Sequence, residues 1–143
     1  MIKRFNAMIL GCRATLIILG ILSGFMAGNV SWAQESEADV VTAQAILAYD
    51  DKKYEEALEF LNHALGISPN HSEALYYAGL VMLAQGKYEE SLPFLIRASR
   101  AAPDSISILF QLGVAYFSLE QYDKADPLLT RVFQERPATN NVG

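Results

Sequence analysis

Few side chains in this 143-residue sequence have the chemistry to react or to hold a metal, and their spacing does not gather them. His63 and His71 are the two histidines and stand well apart in the chain; Cys12, the one cysteine, lies far upstream. Zinc asks for three or four ligands brought together, with paired histidines typically about three to five residues apart. His63 and His71, with no further ligand at a suitable spacing, read instead as surface residues. The carboxylates cluster as Glu55, Glu56 and Glu59, then as Glu89 and Glu90. On amphipathic helices such clusters are accounted for by a solvated outer face. The sequence contains no GxSxG elbow, Walker loop, HExxH or CxxC, so the motifs of nucleophilic hydrolysis, phosphate transfer, zinc hydrolysis and dithiol exchange are all missing. Asn70-His71-Ser72 is a formal glycosylation sequon, without meaning in an exported bacterial protein, which is what the leader described next suggests. No catalytic residue, metal or cofactor is expected.

Residues 1–33 have the three-part layout of a secretory signal peptide: positive charge in "MIKR" and at Arg13, the uncharged run "ATLIILGILSGFMAG", then small residues at Ser31 and Ala33. Cleavage is expected after Ala33, with residues 34–37 a short linker. The rival reading is an uncleaved anchor in the inner membrane, for which residues 14–33 just reach the span of about 20 residues that a bilayer needs. Cys12 precedes the apolar run, whereas a lipid-bearing cysteine would close it, and it leaves with the leader. Three of the eleven basic residues lie before the cut and all sixteen acidic ones after it, so the remaining chain carries eight basic and sixteen acidic side chains, net −8. Phosphate backbones are held by clustered Lys and Arg. Nucleic acid is excluded as a main partner, and contact with a membrane is confined to export or to an uncleaved leader.

The elements behind these residues repeat. "KYEEALEFLNHALGISP" at 53–69 returns as "KYEESLPFLIRASRAAP" at 87–103 and again as "QYDKADPLLTRVFQERP" at 121–137. Tyr54, Tyr88 and Tyr122 share one phase and Pro69, Pro103 and Pro137 another. Ala57, Ser91 and Ala125, then Leu61, Leu95 and Leu129, then Ala64, Ala98 and Val132 fall into step as well. Small residues suit places where helices cross closely, and larger ones fill the gaps between crossings. Gly79 and Gly113 recur inside a helical pattern; glycine costs about 1 kcal/mol there, so its return points to close backbone contact. Each unit reads as helix A, a turn near "QGK" or "LEQ" (Asp50 to Lys53 in the first unit), helix B and a terminating proline. Pro93 and Pro127 are expected within the first turn of helix B, where proline removes no helical hydrogen bond.

With units at 38–71, 72–105 and 106–139 and a tail or further helix start at 140–143, the sequence resembles the tetratricopeptide repeat family, whose period is about 34 residues. The second unit carries the resemblance through Leu75, Gly79, Tyr88, Ala98 and Pro103. The third carries it through Leu109, Leu112, Gly113, Tyr116, Tyr122, Ala125 and Pro137. The first has Gln44 and Ala45 where Leu-Gly is usual, which suits a unit with no preceding neighbour.

The resemblance implies an all-α fold, an α-solenoid of three helix-turn-helix repeats wound as a right-handed superhelix. Its concave surface, lined mainly by the A helices, holds a peptide or a partner's helix. The groove positions are Thr42, Ile46 and Tyr49; Tyr76, Leu80 and Leu83; Phe110, Val114 and Phe117. Some members of the family grip a C-terminal carboxylate with Lys, Arg and Asn at these positions, and this sequence has none there. The same stripe read without the family is an ordinary core face, and both readings stand at this point.

The expected function is a non-enzymatic periplasmic scaffold that docks a protein or peptide partner through an apolar groove. The alternative is the N-terminal periplasmic region of a larger outer-membrane secretion or transport protein of the β-barrel kind. Leu128, Leu129, Val132 and Phe133 place apolar residues on the last helix B, and a terminal repeat ordinarily needs a polar cap. That edge is expected to be covered by continuing chain, by another copy of the protein, or by a partner. Protein recovered from the exported fraction is expected to begin at Gln34; an intact mass that retains residues 1–33 would favour the anchor.

Overall fold

The computed structural model describes residues 36–135. The leader with its cleavage site, residues 34 and 35 of the linker, Pro137 and the 140–143 tail lie outside the described residues. Within them six helices follow one another: α1 (residues 36–50), α2 (Tyr54–Ile67), α3 (Ser72–Ala84), α4 (Tyr88–Ala101), α5 (Ile106–Ser118) and α6 (Tyr122–Glu135). There is no strand among the described residues. Packing is sequential: α3 lies most extensively on α4 and α5 on α6, followed by α4 on α5 and α2 on α3, while α3 also touches α5. This is an all-α solenoid of helix hairpins.

One backbone device closes every hairpin. Lys52, Gly86 and Glu120, at one phase of the repeat, hold left-handed φ values of 61°, 73° and 58°. Such a residue just past a helix lets the next N–H turn back to a carbonyl near the helix end. Lys53 N–H bonds to Ala48 O, Lys87 N–H to Met82 O and Gln121 N–H to Tyr116 O, each at 2.9 Å. Carbonyls that a helix end would leave unpaired are thereby satisfied. Only Gly86 adopts this conformation without a Cβ penalty.

Side-chain packing within a hairpin is equally periodic. A Cβ on Gly79 would lie 2.6 Å from Leu95 Cγ, and one on Gly113 2.7 Å from Leu129 Cδ2. The leucine of helix B therefore sits directly on the glycine of helix A. In the first hairpin Ala45 and Leu61 hold the same register and are both fully buried, so there the helices leave room for a methyl. Leu61, Leu75 and Leu95 lose all exposure, a contribution of about 2 kcal/mol each.

Between hairpins, helix B of one repeat ties to the end of the one before. The Arg97 guanidinium donates to the Pro69 carbonyl, and Arg131 makes the same contact one repeat on, donating to Pro103 O at 3.3 Å and to Asp104 Oδ1 at 3.0 Å. The acidic clusters acquire a second role: Glu55 and Glu56, Glu89 and Glu90, and Asp123 occupy the first turns of α2, α4 and α6. There they favour the positive end of the helix dipole, where Lys53 and Lys87 provide no side-chain cap.

The prolines depart from expectation. α4 starts at Tyr88 and α6 at Tyr122, which puts Pro93 and Pro127 at the sixth position, in the second turn. Each removes one intrahelical bond, to the carbonyl of Glu89 or Asp123. Both prolines face solvent, so water can take the freed carbonyl and the helix continues.

Gly113→Leu is expected to lower stability by about 1–3 kcal/mol through overpacking against Leu129, while Glu89→Ala stays within about 0.5 kcal/mol. Gly86→Ala should lose about 1 kcal/mol by forcing a Cβ into the left-handed region, and Glu120→Gly should lose nothing. Urea midpoints of the four variants test both statements.

Candidate functional site

The nine groove positions recur at i, i+4 and i+7 on α1, α3 and α5, a spacing that brings each trio to one side of its helix. The structure treats the three trios differently. On α5, Phe110 and Phe117 remain 43% and 57% exposed, with Val114 half-buried beside them. Phe117 stacks edge-on against Tyr122 at 5.3 Å. On α3, Tyr76, Leu80 and Leu83 are half-buried. Tyr76 packs against both Leu75–Ala98–Ile108 and Leu95–Leu112–Ala115, and Leu83 against the second of these clusters.

On α1, Ile46 and Tyr49 are half-buried, and Thr42 is not a groove residue: it has no exposed surface and its hydroxyl donates to Ala38 O at 2.7 Å. Thr42 lies on the packed side of α1 beside the buried Ala38, Val41 and Ala45, and the bond one turn back satisfies its hydroxyl there. The apolar stripe is thus largely packed in the first two repeats and open in the third.

A tyrosine cluster joins the first two A helices. Tyr49 meets Tyr54 at 5.9 Å and Tyr77 at 5.7 Å, and Tyr77 meets Tyr76 at 5.4 Å. The last two pairs are edge-on, an arrangement that adds about 0.5–1.5 kcal/mol beyond area burial. Partial burial pushes the phenols of Tyr49, Tyr76 and Tyr77 above the ordinary tyrosine value, and neighbouring phenols push all three further. Asp50 adds to the rise at Tyr49 and, with Glu73, at Tyr77; Gln111, bonded to Tyr76, acts the other way. Next to this cluster a cleft of about 270 Å³ between α3 and the start of α5 is lined by Glu73, Tyr76, Tyr77, Ser105 and Ser107, among others. The exposed carboxylates of Asp39, Asp50 and Glu73 lie on α1 and α3, and no groove position holds Lys or Arg.

His71 has a specific task. Its Nδ1 accepts from Ala74 N–H at 3.2 Å, capping α3, and its Nε2 lies 2.7 Å from Asp39 Oδ1 on α1. With Nδ1 accepting, the ring proton sits on Nε2 and is donated to the carboxylate. One imidazole therefore starts α3 and ties it to the preceding repeat, and its two nitrogens are both engaged. His63 is exposed on α2. His71, Tyr77, Gln111 and the arginine pair escape a motif search. Arg97 and Arg131 do leave a sequence trace, being one repeat apart in the same register.

The tetratricopeptide repeat family model matches residues 48–107 and 82–142. YrrB, described as a TPR protein with an unusual peptide-binding site, is similar in structure at 28% identity and a TM-score of 0.65, over 67% of this chain and 50% of YrrB. The chain thus spans half the length of that relative. The Sgt2 TPR domain from Aspergillus fumigatus matches at 21% identity and a TM-score of 0.65, over 74% of this chain and 70% of that one. The second TPR of Spaghetti (RPAP3), bound to the HSP90 peptide SRMEEVD, matches at 18% identity and a TM-score of 0.67, over 71% of this chain and 96% of that one. These last two likenesses speak for the fold alone. No curated protein matches.

His71→Ala should cost about 1 kcal/mol, as loss of a helix cap does, and Asp39→Ala, at an exposed carboxylate, less. In the double variant Asp39→Ala should add nothing further; a double-mutant cycle on urea unfolding reads the coupling.

Proposed function

The chain belongs to the tetratricopeptide repeat family, and from that premise we propose that it is an exported, non-enzymatic scaffold of the periplasm that holds an apolar peptide or helix of a partner protein on the face of its A helices. Protein–protein interaction is the work of this fold. Support for a groove comes from the open aromatic surface of α5, where Phe117 and Phe110 stay exposed although the same register is packed in the first repeat. Aromatic side chains at the centre of an interface dominate its energy, and exposed apolar patches on soluble proteins mark such sites.

The chemistry of the occupant follows from the charges. YrrB has a peptide-binding site, and the Spaghetti repeat holds a peptide with three acidic residues. Here the groove register has no Lys or Arg to pair with carboxylates, and exposed Asp39, Asp50 and Glu73 line the α1 and α3 side. An acidic peptide would be repelled; an apolar segment flanked by basic residues fits both the surface and the charge. Export to the periplasm rests on the leader sequence.

Phe117→Ser is expected to reduce partner recovery from the exported fraction at least tenfold, a loss typical of an interface hot spot at roughly 2 kcal/mol. Its stability in urea should fall only by about 0.5–1.5 kcal/mol, the contribution of the edge-on pair with Tyr122, because the ring is otherwise mostly exposed. Tyr76→Ser should lower the midpoint, since that ring packs between two clusters. Co-purification with mass identification, alongside unfolding of both variants, checks the pair; full partner recovery with Phe117→Ser would remove the groove from the reading.

A further inference from the structure

The interfaces between hairpins obey a register that the first and last described helices leave half-used. In α3, Ala74, Ala78 and Val81 are buried in a cluster with Ala57, Leu61 and Ala64 of α2. In α5, Ile108 is buried with Ala98 of α4, and Leu112 and Ala115 with Leu95. One repeat before α3 the same register on α1 holds Val40, Gln44 and Leu47. Val40 and Leu47 are 59% and 68% exposed, and Gln44 is exposed as well.

The opposite edge is the matching half. On α6, Tyr122 and Phe133 are 49% and 68% exposed, whereas Tyr54 and Leu65, at their register on α2, pack into the cluster that α3 completes. A cleft of about 260 Å³ opens here, lined by Ile106, Ser107, Phe110, Val132 and Phe133. Phe110 and Val132 stand in the register of Tyr76 and Ala98, and one repeat earlier those two residues surround Ile108. The residue of α1 in the register of Ile108 is Val40.

We propose that a second copy of this chain docks its α1 on α6, with Val40 in that cleft, and continues the solenoid head to tail. The occupant is chosen by continuity: α1 of another copy carries the register that α3 and α5 present to their preceding helices. The polar substitutions on the two edges also correspond. Gln44 and Asp126 occupy the registers of Leu112 and Leu92, and Leu92 packs against the cluster that contains Leu112. Across the joint an amide donor would meet a carboxylate where the α4–α5 interface has Leu92 and Leu112, so neither polar group is buried without a partner. Because the two edges differ, the contact is heterologous and does not close on itself at a dimer.

Protein purified from cells expressing the full reading frame is followed by light scattering and sedimentation across a dilution series. Its mean mass is expected to rise with concentration past that of a dimer. Leu47→Glu and Phe133→Glu each alter one exposed residue, and each alone should give monomers, because every joint contains one damaged edge. Mixed in equal amounts, the two variants retain one intact pair of edges and should form dimers that grow no further. A monomeric wild type at all concentrations, continued association of Leu47→Glu alone, or a mixture that stays monomeric would overturn the proposal; far-ultraviolet circular dichroism confirms that the variants are folded.

Discussion

The contact on which the structure depends is a leucine laid on a residue without a side chain. Leu95 on Gly79 and Leu129 on Gly113 set how closely helix A and helix B approach in the second and third hairpins. That approach fixes where every other side chain of the pair must go. Close crossing buries the small residues Ala57, Ser91 and Ala125 on the inner side of helix B. The left-handed residue at each hairpin turn then reverses the chain over a short connection, tight enough to hold the leucine in register. In the first hairpin Ala45 replaces the glycine and remains fully buried, so the motif tolerates one methyl when the neighbouring geometry accommodates it.

From this spacing follows the division of the A-helix surface. In α3 and α5, one side is spent on the preceding helix B and another on the partner helix B, and what is left is the narrow stripe that includes Phe110, Val114 and Phe117. The stripe closes over Tyr76 and opens at Phe117 because successive A helices shield one another unequally: α3 is packed on both sides, whereas α5 has a neighbouring repeat only on its α3 side among the described residues. The surface suited to a partner is therefore a consequence of position in the stack as well as of residue type.

Much of this is legible in the sequence because the determining features recur at a fixed period. Tyrosine, alanine, leucine and glycine in phase specify helix pairs, a short turn and close approach, and the same arithmetic recovers Lys52, Gly86 and Glu120 as equivalent turn positions. Features that occur once are not legible. Thr42 shares a register with Tyr76 and Phe110, yet it is short enough to be covered completely and its hydroxyl is satisfied one turn back, neither of which an apolar stripe encodes. His71 reads in sequence as a surface histidine of a loop, and its double engagement with Ala74 N–H and Asp39 depends on two elements meeting in space. Pro93 and Pro127 lie one turn deeper than their spacing suggests because helix B begins at the tyrosine, and solvent exposure of the freed carbonyl is what allows them there. The faces of α1 and α6 are unequal puzzles: the second is visible as a run of apolar residues, while the first, interrupted by Gln44, is visible only once α3 and α5 supply the register.

The arginine tie bears on how such a chain can change length. Arg97 reaches the carbonyl of the proline that closes the previous repeat, and Arg131 does the same one repeat later, so the bond refers only to a neighbour and not to an address in the whole protein. Excise residues 72–105 and Arg131 faces Pro69 in the geometry that Arg97 had, while His71 stands ahead of Ile106 as it stood ahead of Ser72. Insert a further copy of the same segment and each new junction finds a matching arginine and carbonyl. Recombination between repeats in the gene thus adds or removes whole blocks without orphaning this donor or its acceptor, and the heritable unit of this architecture is the block, not the residue.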